Sequence, residues 1–280
     1  MGIAFIIPGF SGGSVAAIVG IYDRLIGAIT DIFKDFKNSI KTLLPVGIGL
    51  LLGAASLLYP LKLALAMAPL PTVSLFVGLA LGGTVSLTDR MRGKVSTRNV
   101  IALLIPLLLA GSLCFIPTGA DVDLFSLAPY GYFLLFLVGV IGSSALVIPG
   151  ISGSMLLLIF GYYNPIIRLV TDNLLKGQNV GRSLIILSVT AAGIAVGFFL
   201  VSFIMRWLLA KYPRGTYFAI IGFILGSVPA AFVSTAKEAG MTASTLPSSI
   251  IHWVACAVLL LVGVLAALSF TVAVKRRKEK

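Results

Sequence analysis

Charged residues are scarce in this chain: only 11% of its 280 residues are Asp, Glu, Lys or Arg, against about a quarter in soluble domains. Apolar residues make up 59%, and the mean hydropathy is +1.10. This composition is that of an integral membrane protein. Because a bilayer-crossing helix takes about 20 apolar residues, spans and turns use most of the length, and no room remains for a soluble catalytic domain.

Side chains that commonly perform catalysis or bind metals are equally few. The chain has one histidine, His252, and its only glutamates are Glu238 and Glu279. Cys114 and Cys256 both lie in apolar runs, so they are interpreted as core residues rather than as a disulfide or metal pair. The sequence therefore predicts neither a metal site nor a cofactor. The net charge of +12 indicates the cytoplasmic bias of Lys and Arg in membrane proteins rather than nucleic-acid binding.

Long apolar runs predict six full membrane spans, at residues 43–61, 72–88, 99–117, 184–204, 216–234 and 250–274. Two more apolar stretches, residues 3–22 and 130–163, are each interrupted by a Pro-Gly-x-Ser-Gly cluster. Proline removes an amide donor and glycine weakens a helix. We therefore expect each of these two stretches to form a broken helical hairpin rather than a continuous helix.

The two clusters belong to a duplication that runs along the whole chain. Residues 7–26 align with 148–167 without a gap, and the letters I, P, G, S, G, I, G, Y and I recur at matching positions. After a three-residue insertion, the alignment places Gly49, Gly53, Gly78 and Gly82 on Gly193, Gly197, Gly222 and Gly226, and the same shift applied to Arg24 gives Arg168. Two copies of one unit are predicted, at residues 1–129 and 130–280.

The distribution of charge predicts how the two copies are oriented. The basic tail 275–280 and the basic loop 90–98 are expected in the cytoplasm, and the acidic loop 121–123 outside. Each copy then has three crossings and one hairpin that enters and leaves on the same side, so the second copy is inverted. The weaker alternative is a full crossing at residues 130–147, which would make the second copy parallel to the first and place the tail outside. The predicted fold is an all-α polytopic membrane protein with two inverted-topology repeats, each with one re-entrant helical hairpin and three transmembrane helices. The basic segment 164–183 is an exception on the external side.

Broken helices at matching positions of inverted repeats are typical of a transporter's binding site. The half-helix after each cluster presents free amides, the positive end of its dipole and serine hydroxyls, which together suit a phosphate. The candidate binding residues are Pro8, Gly9, Ser11, Gly12, Gly13, Ser14 and Arg24 in the first copy, and Pro149, Gly150, Ser152, Gly153, Ser154 and Arg168 in the second. The alternative is that the small residues only allow close helix packing and that the arginines reach toward lipid phosphates.

Enzymatic alternatives depend on the same serines. Ser11 or Ser152 opposite His252 resembles the arrangement of rhomboid intramembrane proteases, although one histidine serves two symmetric serines unequally. The plan also resembles undecaprenyl-pyrophosphate phosphatases, but these need membrane glutamates and a motif arginine that the clusters lack. Hydrolysis then has no evident general acid or base, and we expect a protein that is not an enzyme.

The paired segments IPGFSGGSVAAIVGIYDRLI and IPGISGSMLLLIFGYYNPII, with the spans between them, resemble the PopT-type polyprenyl-phosphate transporters over essentially the whole chain. This resemblance implies that undecaprenyl phosphate, the lipid carrier of cell-envelope synthesis, is flipped from the outer to the inner leaflet of the bacterial cytoplasmic membrane. The phosphate would be held at the two clusters during alternating access. One departure is the leading arm of the first hairpin, which has seven residues before Pro8, whereas family members begin with a longer basic leader.

The resemblance implies a polyprenyl-phosphate lipid and surrounding membrane lipids as partners, and no nucleic acid. The C-terminus is expected in the cytoplasm, and a homo-oligomer is compatible with the sequence. An ion-coupled carrier of a small soluble anion is the alternative function.

Overall fold

The computed structural model describes residues 12–91, 93–174, 176–241 and 249–278, and the regular structure within these ranges is helical throughout, with no strand. Eleven α-helices follow one another along the described chain: α1 (Gly12–Val19), α2 (Tyr22–Thr30), α3 (Phe36–Met67), α4 (Pro69–Thr88), α5 (Thr97–Ser112), α6 (Pro129–Val147), α7 (Gly153–Ile159), α8 (Tyr163–Arg168), α9 (Val180–Lys211), α10 (Pro213–Glu238) and α11 (Ile250–Lys278).

Seven of these helices are long and apolar enough to cross a membrane: α3, α4, α5, α6, α9, α10 and α11. Six of them overlap the six spans predicted from the sequence. Most helices extend beyond the predicted limits, as α9 does at both ends of residues 184–204. Hydropathy identifies only the apolar centre of a helix, whereas long basic side chains at its ends keep their charges in the polar region. The chain is thus a multi-pass α-helical membrane protein.

The seventh of these helices, α6, lies in the stretch where the sequence predicted the leading arm of a hairpin. It has 19 residues and ends at Val147, immediately before the Pro149–Gly150 break. A proline cannot donate the amide that would continue the helix. Helix α6 is therefore long enough to cross a membrane by itself, and the re-entrant hairpin stays a prediction.

After the break the chain turns back along α6. A Cβ on Gly153, at the start of α7, would lie 3.2 Å from the carbonyl oxygen of Gly142 in α6. At the far end of α7, the amide of Gly119 donates to the carbonyl oxygen of Ile159 at 3.1 Å. Because Gly119 belongs to the connection that leads into α6, the end of α7 lies against this connection.

Two helix pairs each join one half of the chain to the other: α4 packs along α11, and α5 packs along α10. A Cβ on Gly78 would lie 2.1 Å from the carbonyl oxygen of Leu260, and one on Gly222 would lie 2.2 Å from that of Leu103. Only glycine allows backbones to approach this closely. Helix α10 of the second copy is the counterpart of α4 in the first. Each of these two helices packs along the last helix of the other copy.

The short helices α1 and α2 pack against the centre of the bundle. Ala16 of α1 and Tyr22 of α2 are buried and share a core with Val147 at the end of α6 and Ile224 of α10. This core places the first copy of the duplicated unit next to the helix break of the second copy.

Candidate functional site

The turn between α6 and α7 is buried and lies against α10. Pro149 is less than 2% exposed and Ser152 is 7% exposed. Gly150 has a φ of +88°, and a Cβ at this position would lie 2.4 Å from the carbonyl carbon of Phe223 in α10. Both the left-handed conformation and the close backbone approach require glycine. The Pro-Gly-x-Ser-Gly cluster of the second copy is therefore a packed structural element rather than a surface loop.

Two serines of this cluster lie together at the start of α7. The Oγ of Ser152 accepts a hydrogen bond from the amide of Met155 at 3.4 Å, which caps the helix. The same oxygen lies 3.0 Å from the Oγ of Ser154. Side-chain oxygens at this position commonly satisfy the free amides of a helix start. The structure thus brings together two of the hydroxyls that the sequence identified as candidate phosphate ligands.

The corresponding cluster of the first copy is only partly covered by the structure. Pro8, Gly9 and Ser11 lie outside the described residues. Helix α1 begins at Gly12, and both Gly13 and Ser14 are buried. Ser14 is therefore available to a buried site rather than to solvent.

The two candidate arginines do not hydrogen-bond to the serine pair. Arg168 lies in α8, beyond the end of α7, and forms an ion pair with Asp121 of the connection before α6. Asn164 donates a hydrogen bond to the same carboxylate at 3.1 Å. Arg24 is exposed on α2. The predicted phosphate ligands in the turn that carries Ser152 are therefore serines and glycines only. Both candidate arginines lie outside this turn.

A polar cluster that the sequence did not predict connects α2 to the hairpin and to α10. The hydroxyl of Tyr22 donates to the carbonyl oxygen of Val147 at 2.9 Å. The hydroxyl of Tyr217 donates to the carboxylate of Asp23 at 2.7 Å, and Arg90 lies 3.5 Å from that carboxylate. Burial raises the pKa of the Tyr22 phenol well above its ordinary value, so it stays protonated and acts as a donor. These partners are far apart in sequence, and no local pattern indicates their contact.

Of the two serines considered for a protease, Ser11 lies outside the described residues, and Ser152 does not hydrogen-bond to His252. The Oγ of Ser152 bonds to Ser154 and Met155, whereas the Nε2 of His252 is buried and has no hydrogen-bond partner among the described residues. The described ranges also contain no group of three or more His, Cys, Asp or Glu side chains that could hold a metal ion.

A cavity of about 760 Å³ lies between α5, α9 and α10, beside the helix break. Ile148, directly before Pro149, and Phe223, which contacts Gly150, line one end; Arg98 and Arg214 line the other. The sequence predicts neither arginine as a binding residue: Arg98 belongs to the basic loop expected in the cytoplasm, and Arg214 is not among the candidates.

A signal for Arg214 was present in the duplication. In the alignment of the two copies, Pro213 repeats Pro69, but Arg214 stands where the first copy has Leu70. A charge that breaks an otherwise apolar repeat is a departure that sequence comparison of the two copies can detect.

Comparison with known proteins gives consistent matches over most of the chain. The family described as undecaprenyl phosphate translocase-like matches residues 1–248. A Staphylococcus aureus protein named polyprenyl-phosphate transporter is 30% identical over 274 residues, covering 96% of this chain and 92% of that protein. A Vibrio cholerae protein of the same name is 28% identical over 243 residues, covering 82% of this chain and 73% of that protein. No solved structure matches the chain significantly.

Proposed function

Because the chain belongs to the undecaprenyl phosphate translocase-like family, we propose that it transports polyprenyl phosphate across a membrane. In particular, we propose that it moves undecaprenyl phosphate from the outer to the inner leaflet of the bacterial cytoplasmic membrane, so that the lipid carrier can be used again. The observation that carries this proposal is the family match over residues 1–248. The two relatives named polyprenyl-phosphate transporter support it.

The physical task is to move a charged headgroup past hydrocarbon. A phosphate with one or two negative charges crosses the bilayer centre at a large free-energy cost, whereas the prenyl tail remains in lipid throughout. A transporter of this kind therefore needs a polar, protein-lined site for the headgroup and an opening toward the bilayer for the tail. It needs no covalent chemistry.

The proposed mechanism is alternating access by two inverted repeats, each with a re-entrant hairpin. The symmetric pairing of α4 with α11 and of α10 with α5 supports two related units, as does the shared length of 32 residues in α3 and α9. The hydrogen bond from Gly119 to Ile159 holds the end of α7 against the connection before α6, which supports a hairpin that enters and leaves on one side. Rocking of one repeat against the other would expose the headgroup to each leaflet in turn.

The phosphate is proposed to bind at the two Pro-Gly-x-Ser-Gly clusters. The paired hydroxyls of Ser152 and Ser154, the glycine turn at Gly150 and the buried Ser14 support this position, since hydroxyls and helix-start amides bind phosphate oxygens. Arg24 and Arg168 lie outside the second-copy turn, so we propose that they attract the headgroup before it enters. The basic loop 90–98 and the tail are proposed to face the cytoplasm.

A leaflet-resolved flux assay tests the proposed function. Liposomes that contain the purified protein and a fluorescent polyprenyl phosphate are treated with dithionite, which bleaches only the probe in the outer leaflet. We expect the wild-type protein to make nearly all of the probe accessible, whereas protein-free liposomes retain about half. Transport should fall at least about tenfold in a Ser11→Ala, Ser152→Ala double variant, because each hydroxyl would hydrogen-bond the anionic headgroup.

Ser188→Ala is the matched control, because Ser188 is exposed and its hydroxyl bonds only to its own helix at Leu184. It should transport at the wild-type rate. A wild-type protein that leaves half of the probe protected would contradict the transport function itself. A serine variant that folds and transports normally would contradict only the assignment of the phosphate to the clusters.

A further inference from the structure

The cavity between α5, α9 and α10 has two chemically different ends. Its polar end is formed where α5 and α10 begin, by Ser96, Arg98, Asn99 and Arg214. Its remaining wall is largely apolar, with side chains such as Ile220 from α10. A volume of about 760 Å³ is within the range of small-molecule sites, about 300–1,000 Å³. The ligand that fits such a space is amphipathic, with an anionic group at one end.

The two arginines at the polar end carry charge that no carboxylate among the described residues neutralises. Arg214 is only partly exposed, and its Nη2 donates to the carbonyl oxygens of Met91 and Lys94 at 3.3 and 3.4 Å. Its Nε is buried with no hydrogen-bond partner among the described residues. A buried donor without a partner costs free energy, so the hydrogen bonds of Arg214 are incomplete among the described residues.

Neither Arg98 nor Arg214 forms an ion pair with a carboxylate in the part of the chain that the structure describes. Ser96 is the N-cap residue of α5, but its hydroxyl makes no capping hydrogen bond to the first turn of this helix. Arg side chains are well suited to phosphate because their planar groups can donate two parallel hydrogen bonds. The polar end therefore has the donors of a phosphate site and, among the described residues, no competing anion.

The cavity opens toward the bilayer side of the bundle. Helix α10 packs closely on α5, but α5 and α9 form no packed pair within the described residues. Ile204, which lines the cavity from α9, is 47% exposed. A tail bound in the cavity can thus leave between α5 and α9 into lipid, and only its first part need fit inside.

The cavity also reaches the helix break. Phe223 lines it ten residues after Pro213, and ten residues of α-helix span about 15 Å. The backbone of Phe223 contacts Gly150, and Ile148 precedes Pro149. The polar end and the hairpin turn are thus connected by one continuous space along α10.

We propose that this cavity is a second headgroup site, in which Arg98 and Arg214 bind the phosphate of a polyprenyl-phosphate lipid while its tail leaves between α5 and α9. This inference rests on the proposed transport function and adds a position three helical turns of α10 away from the hairpin turn, on the side of the basic loop 90–98. Because Leu70 replaces Arg214 in the first copy, the site has no symmetric equivalent at that residue. It serves one side of the membrane only, as the place where the lipid docks before release.

Binding of farnesyl phosphate, a short prenyl phosphate, to the purified full-length protein in lipid nanodiscs tests the site. We expect Arg98→Gln and Arg214→Gln each to weaken binding about tenfold, the usual size of a lost charge-assisted hydrogen bond. Lys211→Gln is the matched control, because Lys211 lies at the same end of the protein and contacts Trp207 and Tyr212 but does not line the cavity. Its binding should change less than about twofold.

Arg98→Gln guards against a folding artefact, since Arg98 is exposed and forms no ion pair among the described residues, whereas Arg214 donates to the carbonyl oxygens of Met91 and Lys94. Because the clusters are proposed to bind the same headgroup, binding is compared in the Ser11→Ala, Ser152→Ala background, where unchanged farnesyl phosphate affinity after Arg98→Gln and Arg214→Gln in a folded protein would overturn the site. Equal competition by inorganic phosphate would also overturn it, because the ligand would then be a free anion.

The site and the transport function fail in distinguishable ways. If wild-type protein moves polyprenyl phosphate but the arginine variants bind farnesyl phosphate normally, only the second site is wrong. If wild-type protein neither binds farnesyl phosphate nor moves the lipid, the proposed function is wrong as well. A transporting double variant with weakened binding and slower release to the side of the basic loop supports both.

Discussion

Helices α3 and α9 occupy matching positions in the two copies, yet they pack differently. Each has 32 residues, and Gly49 and Gly53 of α3 correspond to Gly193 and Gly197 of α9. A Cβ on Gly193 would lie 2.2 Å from the carbonyl oxygen of Phe136 in α6, and one on Gly197 would be equally crowded. A Cβ on Gly49 or Gly53 meets no described atom within 4 Å.

The difference shows that a repeated glycine pattern reports a capacity for close packing rather than the contact itself. Small residues let two membrane helices approach until their backbones touch. In α9 the glycines form such a contact with α6. In α3 the same face turns away from every described helix. The glycines of α9 should therefore be far less tolerant of substitution than their equivalents in α3.

The largest effect is expected from Gly193→Leu. Its side chain would enter the backbone of α6 at Phe136, so we expect a loss of at least about 3 kcal/mol in stability, measured as a fall in the thermal unfolding temperature in detergent. Gly197→Leu should behave alike. Gly49→Leu and Gly53→Leu are the matched controls and should change stability by less than about 0.5 kcal/mol. Equal losses in α3 and α9 would show that the face of α3 is also packed.

Glycines of the pairs α4–α11 and α5–α10 should instead respond equally. A Cβ added to Gly78 would lie 2.1 Å from the carbonyl oxygen of Leu260. A Cβ added to Gly222 would lie 2.2 Å from the carbonyl oxygen of Leu103. We expect Gly78→Ala and Gly222→Ala each to cost about 2–3 kcal/mol, read from the same thermal unfolding experiment. A difference above about 1 kcal/mol between them would mean that these pairs are not equivalent.

The local breaks of this fold could be predicted from the sequence, and the helix partners could not. Pro149 and Gly150 indicated an interrupted helix, and α6 does end at Val147 with α7 beginning at Gly153. The duplicated glycines indicated close packing sites. Which helix each glycine meets depends on contacts between distant segments, such as Gly78 with Leu260, and hydropathy carries no information on these.

The candidate site was predictable to the same extent. The Ser152–Ser154 pair follows from a local motif, because both serines lie in one helix start. The cavity lined by Arg98 and Arg214 combines the starts of two helices that are far apart in sequence, so neither arginine suggested a shared site on its own. The one local signal is that Arg214 of the second copy stands where the first copy has Leu70, which marks a charge at an otherwise apolar position.

The turns that follow α1 and α7 also differ in packing between the two copies. Gly20 and Gly161 occupy matching positions in the duplication, and both have a φ of +75°. A Cβ on Gly161 would lie 2.1 Å from the carbonyl oxygen of Ala120, whereas one on Gly20 meets no described atom within 4 Å. We expect Gly20→Ala to cost about 1 kcal/mol from backbone strain alone, and Gly161→Ala about 2 kcal/mol because the clash adds to it. Chemical unfolding of both variants would measure the difference, and equal costs would argue against the Gly161–Ala120 contact.

The smallest effect is expected from two acidic residues that follow α2 and α8, Asp31 and Asp172. Asp172 pairs with Lys176 in its own segment, whereas Asp31 pairs with Arg206 of α9 and thereby joins the two copies. The hydrogen bond from Arg206 holds the pKa of Asp31 below its ordinary value. A lowered pKa in the folded state means that the pair stabilises the protein above the unfolded-state pKa of about 3.9, and that this contribution is lost as the pH falls through the lower, folded value.

Asp31→Asn should therefore lower the unfolding temperature slightly at about pH 6, and the gap to wild type should close as the solution is acidified below about pH 4. Asp172→Asn is the control with only a local pair, because its partner Lys176 lies in the same segment. The hydrogen bond from Lys176 also lowers the pKa of Asp172, so this variant should show a gap of the same sign but smaller size. An equal response in both variants, or a gap that does not depend on pH, would show that the Asp31–Arg206 pair does not hold α2 to α9.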